Sequence, residues 1–342
     1  MLRVFADTRR IGATRYYLAR EEHPSLQIPP ELRRCVAFVY SEQSDGKHPQ
    51  GTLFFVAIPM ESIPDRHHVY AVTSRHVLEG IRDDGADGKA WLRINLRNGQ
   101  ARFIETDVND WRYHPDPSVD VAIAMISLFP DAAQSAWHLD SRVTDAAVAE
   151  YEVDVGNELL ITGLFVHHVG STRNVPIVRV GNIAAMPQHI SMSDQGTMEA
   201  YLIESRSLGG LSGSPVFLNL GMLRIFGGRA TLAPGRNRPD AGFLLLGMVY
   251  GHYRERARRI DQTEEMINAG IAIVVPIKYV VEAITQSEED ALRKNIEQQL
   301  KKSGGPVADR ARGLTEEEFH NVLKKVSKKA PTSQPGREKK GT

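Results

Sequence analysis

Residues 210–215 read Gly-Leu-Ser-Gly-Ser-Pro, and the apolar run Val-Phe-Leu follows at once. A small polar residue, Ser212, therefore lies in a glycine-flanked turn that leads directly into a strand-like segment. Gly210 and Gly213 permit backbone angles that other residues avoid. A turn of this kind can direct successive N–H groups at one point, which is what a developing oxyanion requires. Because Gly/Ser turns are common in loops, this turn becomes informative only if a histidine and a buried acid accompany it.

Many short strand-like segments lie between Cys35 and Pro276, separated by Gly, Pro, Asn and Asp. Helical periodicity is nearly absent from this part of the chain, so the pattern predicts an all-β sandwich or barrel. A turn-rich stretch at 41–50 separates the first two segments, which therefore predict a β-hairpin. The segment at 75–82 predicts a short helix. The strand-like segments are CVAFVY (35–40), GTLFFVAIP (51–59), VYAVTS (69–74), AWLRINL (90–96), ARFIETDV (101–108), VDVAIAMI (119–126), NELLITGLFV (157–166), PIVRVGNIAAMP (176–187), EAYLIES (199–205), SPVFLNL (214–220), LRIFGG (223–228), GFLLLGMVYG (242–251) and AGIAIVVPI (269–277).

The composition divides the chain into four regions. Residues 1–34 carry mixed charge with weak periodicity and are interpreted as an N-terminal extension. The strand-rich domain covers 35–286 and closes with a short helix. Residues 287–330 are predicted to form a helical appendage, which includes an amphipathic helix at 315–329. The basic tail, 331–342, is expected to be disordered.

Charge and cysteine content exclude several function classes. The chain has no formal net charge, so bulk electrostatics favours neither nucleic acid nor a membrane as a partner. Cys35 is the single cysteine, which excludes an intramolecular disulfide and fits a reducing compartment. We recognise no secretory signal and no membrane-spanning run, so we expect a soluble, cytoplasmic protein. No zinc spacing and no dinucleotide or phosphate-binding fingerprint is present, so we expect no metal and no cofactor.

His76 and Asp120 are the candidates for a base and a buried acid. His76 follows the strand-like residues 71–73, so its side chain is expected at the rim of a barrel. Taken alone, one of twelve histidines is more often a surface or structural residue. Asp120 directly precedes an apolar run, which indicates a partly buried carboxylate that needs a partner. Taken alone, such an acid is more often solvated or caps a turn at the start of a strand.

Three segments in this order resemble the chymotrypsin-like serine peptidases. They are Thr-Ser-Arg-His-Val at 73–77, Asp-Val-Ala-Ile at 120–123 and Gly-Leu-Ser-Gly-Ser-Pro-Val-Phe at 210–217. The order His, Asp, Ser distinguishes this family from the subtilisin and α/β-hydrolase families. The similarity covers roughly 35–285. It implies a double six-stranded antiparallel β-barrel, with one barrel at about 35–130 and the other at about 131–286.

The resemblance implies a role for each matching residue. Ser212 would be the nucleophile, His76 the general base and then acid, and Asp120 the carboxylate that orients the imidazole. The backbone N–H groups of Gly210 and Ser212 would form the oxyanion hole. The reaction implied is hydrolysis of peptide bonds in a protein or peptide substrate through an acyl-enzyme.

Departures from the family pattern narrow the resemblance. Val77 and Leu211 stand where digestive members have cysteine and aspartate. The nucleophile segment is closer to the bacterial glutamyl endopeptidase and high-temperature-requirement groups. The residues after Gln286 are too few and too helical for a peptide-binding PDZ module, which argues against the architecture of the second group. We recognise no site for zymogen activation by an inserted amino group.

The resemblance also predicts a substrate pocket. Its floor falls on Arg206 and Ser207, and its far wall on Tyr250, Gly251 and His252. Arg206 and His252 would favour an acidic substrate side chain by charge pairing. The alternative is that Arg206 points to solvent, as most arginines do. The family usually places a serine near Tyr250 to bond the triad acid, so how Asp120 is held stays open at this point.

The sequence therefore predicts a trypsin-like serine endopeptidase of bacterial type. This hypothesis includes regulation by a partner protein that binds the C-terminal helices, in a stress or defence system. Two alternatives remain. One is a catalytically inactive peptidase fold that serves as a protein-interaction module, and the other is a peptidase that stays latent until a partner engages it. Nucleic acid is a disfavoured partner, because a basic terminal run is more often solvated.

Overall fold

The computed structural model describes most of the strand-rich domain and the first helix beyond it. The described residues are 28–84, 88–192, 196–205, 210–221, 223–226, 229–232, 242–258 and 264–302. Most of the predicted N-terminal extension, the helix predicted at 315–329 and the basic tail lie outside these residues.

The first half of the domain is a β-sheet. Its elements are helix α1 (Glu31–Arg34), strands β1 (Val36–Gln43), β2 (Gly46–Pro59) and β3 (His67–Thr73), helix α2 (Arg75–Asp84), and strands β4 (Lys89–Asn95), β5 (Ala101–Asp107), β6 (Arg112–Tyr113), β7 (Ala122–Ile126) and β8 (Trp137–His138). The strands follow the order β5-β4-β1-β2-β3-β7-β6 with antiparallel pairing, and β8 adds to β2 in parallel. The helix predicted at 75–82 is α2.

The first hairpin differs in length from the prediction. Gln43 pairs with Gly46, so the turn is much shorter than the predicted turn-rich stretch at 41–50. Polar residues continue the strands here because the outer end of a hairpin needs backbone pairing but no apolar face.

The second half is a closed barrel followed by helices. Its elements are helix α3 (Asp145–Glu150), strands β9 (Glu158–Gly163), β10 (Ile177–Met192), β11 (Gly196–Glu204), β12 (Pro215–Asn219), β13 (Leu223–Phe226), β14 (Arg229–Leu232), β15 (Phe243–Arg258) and β16 (Glu264–Pro276), and helices α4 (Ile277–Ile284) and α5 (Ser287–Lys302). The barrel order is β10-β11-β16-β15-β12-β9, and β13 and β14 form a separate pair.

The predicted all-β fold is confirmed. Two antiparallel sheets resemble the chymotrypsin double barrel, and α4 and α5 follow them. The second sheet closes with six strands, as expected. The first differs, because within the described residues it is an open path of seven strands with β8 paired to β2. The short strand β6 lengthens the path beyond six.

Strands β1 to β3 are buried on both faces because each face packs into a different core. In β2, Leu53 and Phe55 lie in a core inside the first sheet. Phe54 and Val56 point the other way, into a core that also contains Phe217 of β12 and so joins the two halves. Successive side chains of a strand alternate between its faces. A strand with two buried faces therefore reads as an unbroken apolar run, as GTLFFVAIP does.

The chain before and after the two sheets packs on the core that joins them. Leu32 of α1 belongs to this core, although composition placed it in the N-terminal extension. Val280 and Ile284 of α4 and Ile296 of α5 belong to it as well. Among the helices that the structure describes, none is both long enough and apolar enough to span a membrane.

Candidate active site

The pairing of β3 with β7 brings His76 and Asp120 together. Thr73, the last residue of β3, pairs with Ala122, the first residue of β7. The residues just after β3 are therefore neighbours of those just before β7. His76 lies in the first turn of α2, and Asp120 lies two residues before β7.

Two hydrogen bonds hold this pair. His76 Nδ1 lies 2.7 Å from Asp120 Oδ2, and the His76 backbone N–H donates to Asp120 Oδ1 at 2.8 Å. Asp120 is fully buried, whereas 36% of the His76 side chain is exposed. Because the carboxylate accepts Nδ1–H, the neutral imidazole keeps its lone pair on Nε2. With the backbone bond, both carboxylate oxygens of Asp120 have a partner on His76.

The pKa of His76 results from opposing effects. Burial disfavours the imidazolium and by itself would lower the pKa, while the hydrogen bond and charge of Asp120 favour it. The effect of Asp120 prevails, and the pKa of His76 is raised above its ordinary value. His76 therefore holds a proton more strongly than a free imidazole does.

The turn that carries Ser212 needs its glycines. Gly210 and Gly213 have φ angles of +94° and +83°, in the left-handed region that side chains disfavour. A Cβ on Gly213 would overlap the carbonyl oxygen of Thr52. Leu211, between the first glycine and Ser212, is buried and anchors the turn to the core.

Tyr250 contacts both the serine and the histidine. The Ser212 hydroxyl donates to the Tyr250 carbonyl oxygen at 3.0 Å. The Tyr250 ring lies edge-on to the His76 imidazole, with 5.3 Å between ring centroids. In this state, the Ser212 hydroxyl is directed to a backbone carbonyl instead of the imidazole.

Three backbone N–H groups in the turn, those of Gly210, Leu211 and Ser212, have no acceptor within the described part of the chain. Gly210 and Ser212 are the two predicted oxyanion donors. The carbonyl groups of the same two residues are engaged, because the Thr52 hydroxyl donates to Gly210 O at 2.8 Å and the Thr52 N–H donates to Ser212 O at 2.9 Å. Paired N–H groups held in this way can bind a developing negative charge.

The remaining predicted features fall partly within the structure. Tyr250, Gly251 and His252 lie on β15, which passes beside the Ser212 turn. Arg206 and Ser207, the predicted pocket floor, lie outside the described residues. Across the ranges that the structure describes, no group of three or more His, Cys, Asp or Glu side chains could hold a metal ion.

Two threonines, Thr52 and Thr73, border the site but were not among the predicted site residues. The Thr73 hydroxyl donates to the Thr52 carbonyl oxygen at 2.7 Å, and both residues are buried. Thr52 was predicted only as part of a strand, and Thr73 as a strand residue that opens the segment carrying His76. The available signal was a hydroxyl within an apolar strand, since a buried polar group needs a hydrogen-bond partner.

Contacts between the C-terminal end of the domain and the segment before Asp120 were not predicted from the sequence. His114 Nε2 lies 3.1 Å from Glu282 Oε2 on α4. The Gln286 side chain donates to the Tyr113 carbonyl oxygen at 3.3 Å. These contacts connect the segment just before Asp120 to the C-terminal end of the domain.

Comparisons with known proteins give distant structural similarities. No family model matches the chain, and no curated protein matches it. The structure is similar to the MamO protease domain from Magnetospirillum magneticum in its apo form, with 12% identity, coverage of 73% of this chain and 96% of that chain, and a TM-score of 0.43. It is similar to the Rv3671c protease in its inactive form, with 17% identity, 75% and 89% coverage and a TM-score of 0.41. For the active form of Rv3671c protease from M. tuberculosis, the values are 18% identity, 84% and 93% coverage, and 0.41.

Proposed function

We propose that this protein is a serine endopeptidase that uses His76, Asp120 and Ser212. One observation carries the proposal: a fully buried carboxylate is hydrogen-bonded to Nδ1 of a part-exposed imidazole. A buried carboxylate is costly unless it is paired, and this pairing leaves Nε2 able to accept a proton. Tyr250 borders both groups, since its ring contacts the imidazole and its carbonyl oxygen accepts from the Ser212 hydroxyl, which supports a joint role for the serine and the base.

In the first half-reaction, Ser212 Oγ attacks the carbonyl carbon of the scissile peptide bond, and His76 Nε2 takes the hydroxyl proton. Asp120 stays ionised and stabilises the imidazolium. The N–H groups of Gly210 and Ser212 donate to the oxyanion. The C–N bond then breaks, His76 gives its proton to the leaving amine, and an ester forms on Ser212.

In the second half-reaction, water takes the place of the amine. His76 accepts a proton from the water as its oxygen attacks the ester carbonyl. When the second intermediate collapses, the proton passes to Ser212 Oγ and the new carboxyl terminus leaves. The net reaction consumes one water for each peptide bond, and each half begins with neutral His76.

The outer part of β15 lies beside the turn that carries Ser212. Pairing of β12 with β15 ends at Met248, the Gly213 N–H donates to Val249 O, and the Ser212 hydroxyl donates to Tyr250 O. An extended substrate bound along this part of β15 would place a peptide bond at Ser212 without requiring a free chain end, which suits an endopeptidase.

We propose that the residue before the cleaved bond is acidic. The support is the position of His252 on the same strand as Tyr250 and the occurrence of Arg206 six residues before Ser212. Positive groups of this kind bind carboxylates through charge-assisted hydrogen bonds. Cleavage of a peptide library after basic or aromatic residues alone would contradict this preference.

A fluorophosphonate probe and a peptide library test the proposed function. We expect wild type to be labelled at Ser212 and to cleave the library, and Ser212→Ala to lose both. Ser214→Ala is the matched control, because the Ser214 hydroxyl is buried without a hydrogen-bond partner in the described residues; it should keep both. Cleavage that persists in Ser212→Ala would overturn the mechanism. Wild type that is neither labelled nor active would favour the inactive interaction module.

A latent peptidase is the second candidate, and the hydrogen bond from Ser212 to Tyr250 favours it. The Ser212 O–H must turn from the Tyr250 carbonyl toward His76 before His76 can take its proton. A partner bound to the C-terminal helices would provide the activating signal. Glu282 of α4 contacts His114, which lies in the segment just before Asp120. A product peptide bound along β15 distinguishes a latent enzyme from a constitutively active one. It should accelerate fluorophosphonate labelling of a latent enzyme and slow labelling of a constitutively active one by competition.

A further inference from the structure

We propose that Thr52 is a positioning residue that sets the geometry of the turn carrying Ser212, an inference that rests on the proposed peptidase function. Thr52 lies on β2, in the first sheet, and is fully buried. The turn belongs to the second half of the domain, next to β12. Because the proposed base and nucleophile come from different halves, their relative placement depends on contacts across this boundary.

Four hydrogen bonds meet at Thr52. Its hydroxyl donates to Gly210 O at 2.8 Å and accepts from the Leu164 N–H at 2.8 Å. Its N–H donates to Ser212 O at 2.9 Å. Its carbonyl oxygen accepts from the Thr73 hydroxyl at 2.7 Å. Every polar group of this residue is therefore engaged, and three of its four bonds reach the second half while one reaches β3.

These bonds control where the N–H groups of the turn point. A peptide unit is planar, so its carbonyl and N–H point in opposite directions. The Leu211 carbonyl accepts from the Ser214 N–H at 2.9 Å, which orients the peptide that carries the Ser212 N–H. Thr52 holds the carbonyls on either side, those of Gly210 and Ser212. The three engaged carbonyls restrain the peptides that carry the N–H groups of Leu211, Ser212 and Gly213, so Thr52 holds the main chain on both sides of the Ser212 N–H.

The same residue links the turn to the base. Thr73 is the last residue of β3 and lies three positions before His76. Two hydrogen bonds, from Thr73 to Thr52 and from Thr52 to Ser212, therefore connect the strand of the base to the main chain of the nucleophile. Both bonds of this link use main-chain groups of Thr52, so a substitution at position 52 leaves them in place and removes only the hydroxyl bonds to Gly210 and Leu164.

Three variants isolate the hydroxyl. Thr52→Val replaces it with a methyl group of similar size, and Thr52→Ser keeps it. Thr162→Val is the matched control, because Thr162 is also a buried threonine of a strand, β9, but its hydroxyl has no hydrogen-bond partner within the described residues. Each variant is compared with wild type by near-UV circular dichroism, by kcat and KM on a cleaved peptide, and by the rate of fluorophosphonate labelling.

We expect Thr52→Val to lower kcat and the labelling rate on the order of 10- to 100-fold, because misplacement of reacting groups by an ångström costs about this much. KM should stay within about twofold, since the substitution does not alter the part of β15 where we propose that substrate binds. Thr52→Ser should recover most of the loss, and Thr162→Val should match wild type. A purely structural role would instead lower the fraction of active protein and leave kcat per active site unchanged.

Hydrogen exchange gives a readout that does not depend on activity. In Thr52→Val, the Leu164 amide loses its acceptor and the turn loses a restraint, so amides at 164 and 210–214 should exchange at least about tenfold faster. If Thr52→Val does not fold, Thr73→Val is the alternative. It removes the hydrogen bond from the Thr73 hydroxyl to the Thr52 carbonyl and should lower kcat with unchanged KM. Wild-type kcat, labelling and exchange in the folded Thr52→Val protein would overturn the role of Thr52 and leave the peptidase proposal intact. Wild type that stays inactive and unlabelled even with the product peptide would defeat the peptidase proposal, while exchange alone would still decide whether Thr52 orders the turn.

Discussion

At the scale of single residues, the protonation of His76 would control the proposed activity. Burial opposes its charged form, but Asp120 stabilises that form by a short hydrogen bond and by its charge, and the net pKa is raised. Only the neutral imidazole can accept the Ser212 proton. Activity should therefore rise with pH through a value above the ordinary histidine pKa of about 6.5.

Replacement of Asp120 by asparagine tests this dependence. Asp120→Asn removes the charge that raises the pKa of His76, so the acidic limb of kcat/KM should move to lower pH. It also removes the acceptor that selects the tautomer, and kcat should fall on the order of 10³- to 10⁴-fold. The measurement is kcat/KM between about pH 5 and about pH 9, where histidine titrates.

Asp116→Asn is the control for that experiment. Asp116 lies in the same loop but is exposed and bonds Ser118. Its variant should keep the wild-type pH profile and rate. An acidic limb that stays in place in Asp120→Asn would show that another group controls the profile.

At the scale of elements, α5 is held to the first sheet by a buried carboxylate. Glu297 accepts from the backbone N–H groups of Glu61 and Ser62, at 3.1 Å and 2.8 Å. It also bonds the Ser62 hydroxyl and lies 2.9 Å from His68 Nε2. Burial favours the neutral acid, but these donors favour the carboxylate more, and the pKa of Glu297 falls to about 2. The appendage therefore begins with a helix that is part of the folded domain.

Substitution of Glu297 should show its contribution as a function of pH. A folded-state pKa below the unfolded value stabilises the protein above the unfolded pKa, and this stability is lost as the pH falls toward about 2. Glu297→Gln should cost about 1–3 kcal/mol at pH 7, because it weakens bonds to buried donors. Urea unfolding should show this difference shrinking as the pH falls.

Glu288→Gln is the matched substitution on the same helix. Glu288 is exposed, so its loss should change stability by less than about 0.5 kcal/mol. A cost of Glu297→Gln that is the same at every pH would mean that its charge contributes nothing and that only its shape matters.

Element positions were largely predictable, and element ends were not. The strand-like segments from CVAFVY onward correspond to strands, because alternation and apolar runs depend on local sequence. The hairpin of β1 and β2 has a shorter turn than predicted, since its polar end pairs through the backbone. Leu32 gave no signal of burial, because a single apolar residue among charged neighbours reveals nothing about what covers it.

At the scale of the whole molecule, one core joins the two halves. It contains Phe54 from the first sheet, Phe217 from the barrel and Ile277 from α4. Phe217 is fully buried, and its ring lies 4.7 Å from that of Trp137. Because both halves share this core, neither can unfold without exposing apolar surface of the other.

A cavity in the shared core should destabilise both halves together. Phe217→Ala should cost about 3–5 kcal/mol, and the two halves should still unfold in a single transition. Urea unfolding followed by tryptophan fluorescence and by far-UV circular dichroism measures both. Phe103→Ala is the control, because Phe103 is 36% exposed, and it should cost less than about 1 kcal/mol. Separate transitions for the two probes would show that the halves are independent.

The sequence by itself determined the strand-rich fold class and nominated His76, Asp120 and Ser212, because apolar patterning, glycine turns and motif order are local properties of the chain. Tertiary structure alone decided the rest. The pairing of Thr73 with Ala122 places His76 beside Asp120. Thr52 contacts the Ser212 turn although it lies 158 positions before Gly210 in the chain. The direction of the Ser212 hydroxyl depends on a carbonyl of β15. Register, closure and hydrogen-bond partners arise between segments distant in sequence, so only the folded chain specifies them.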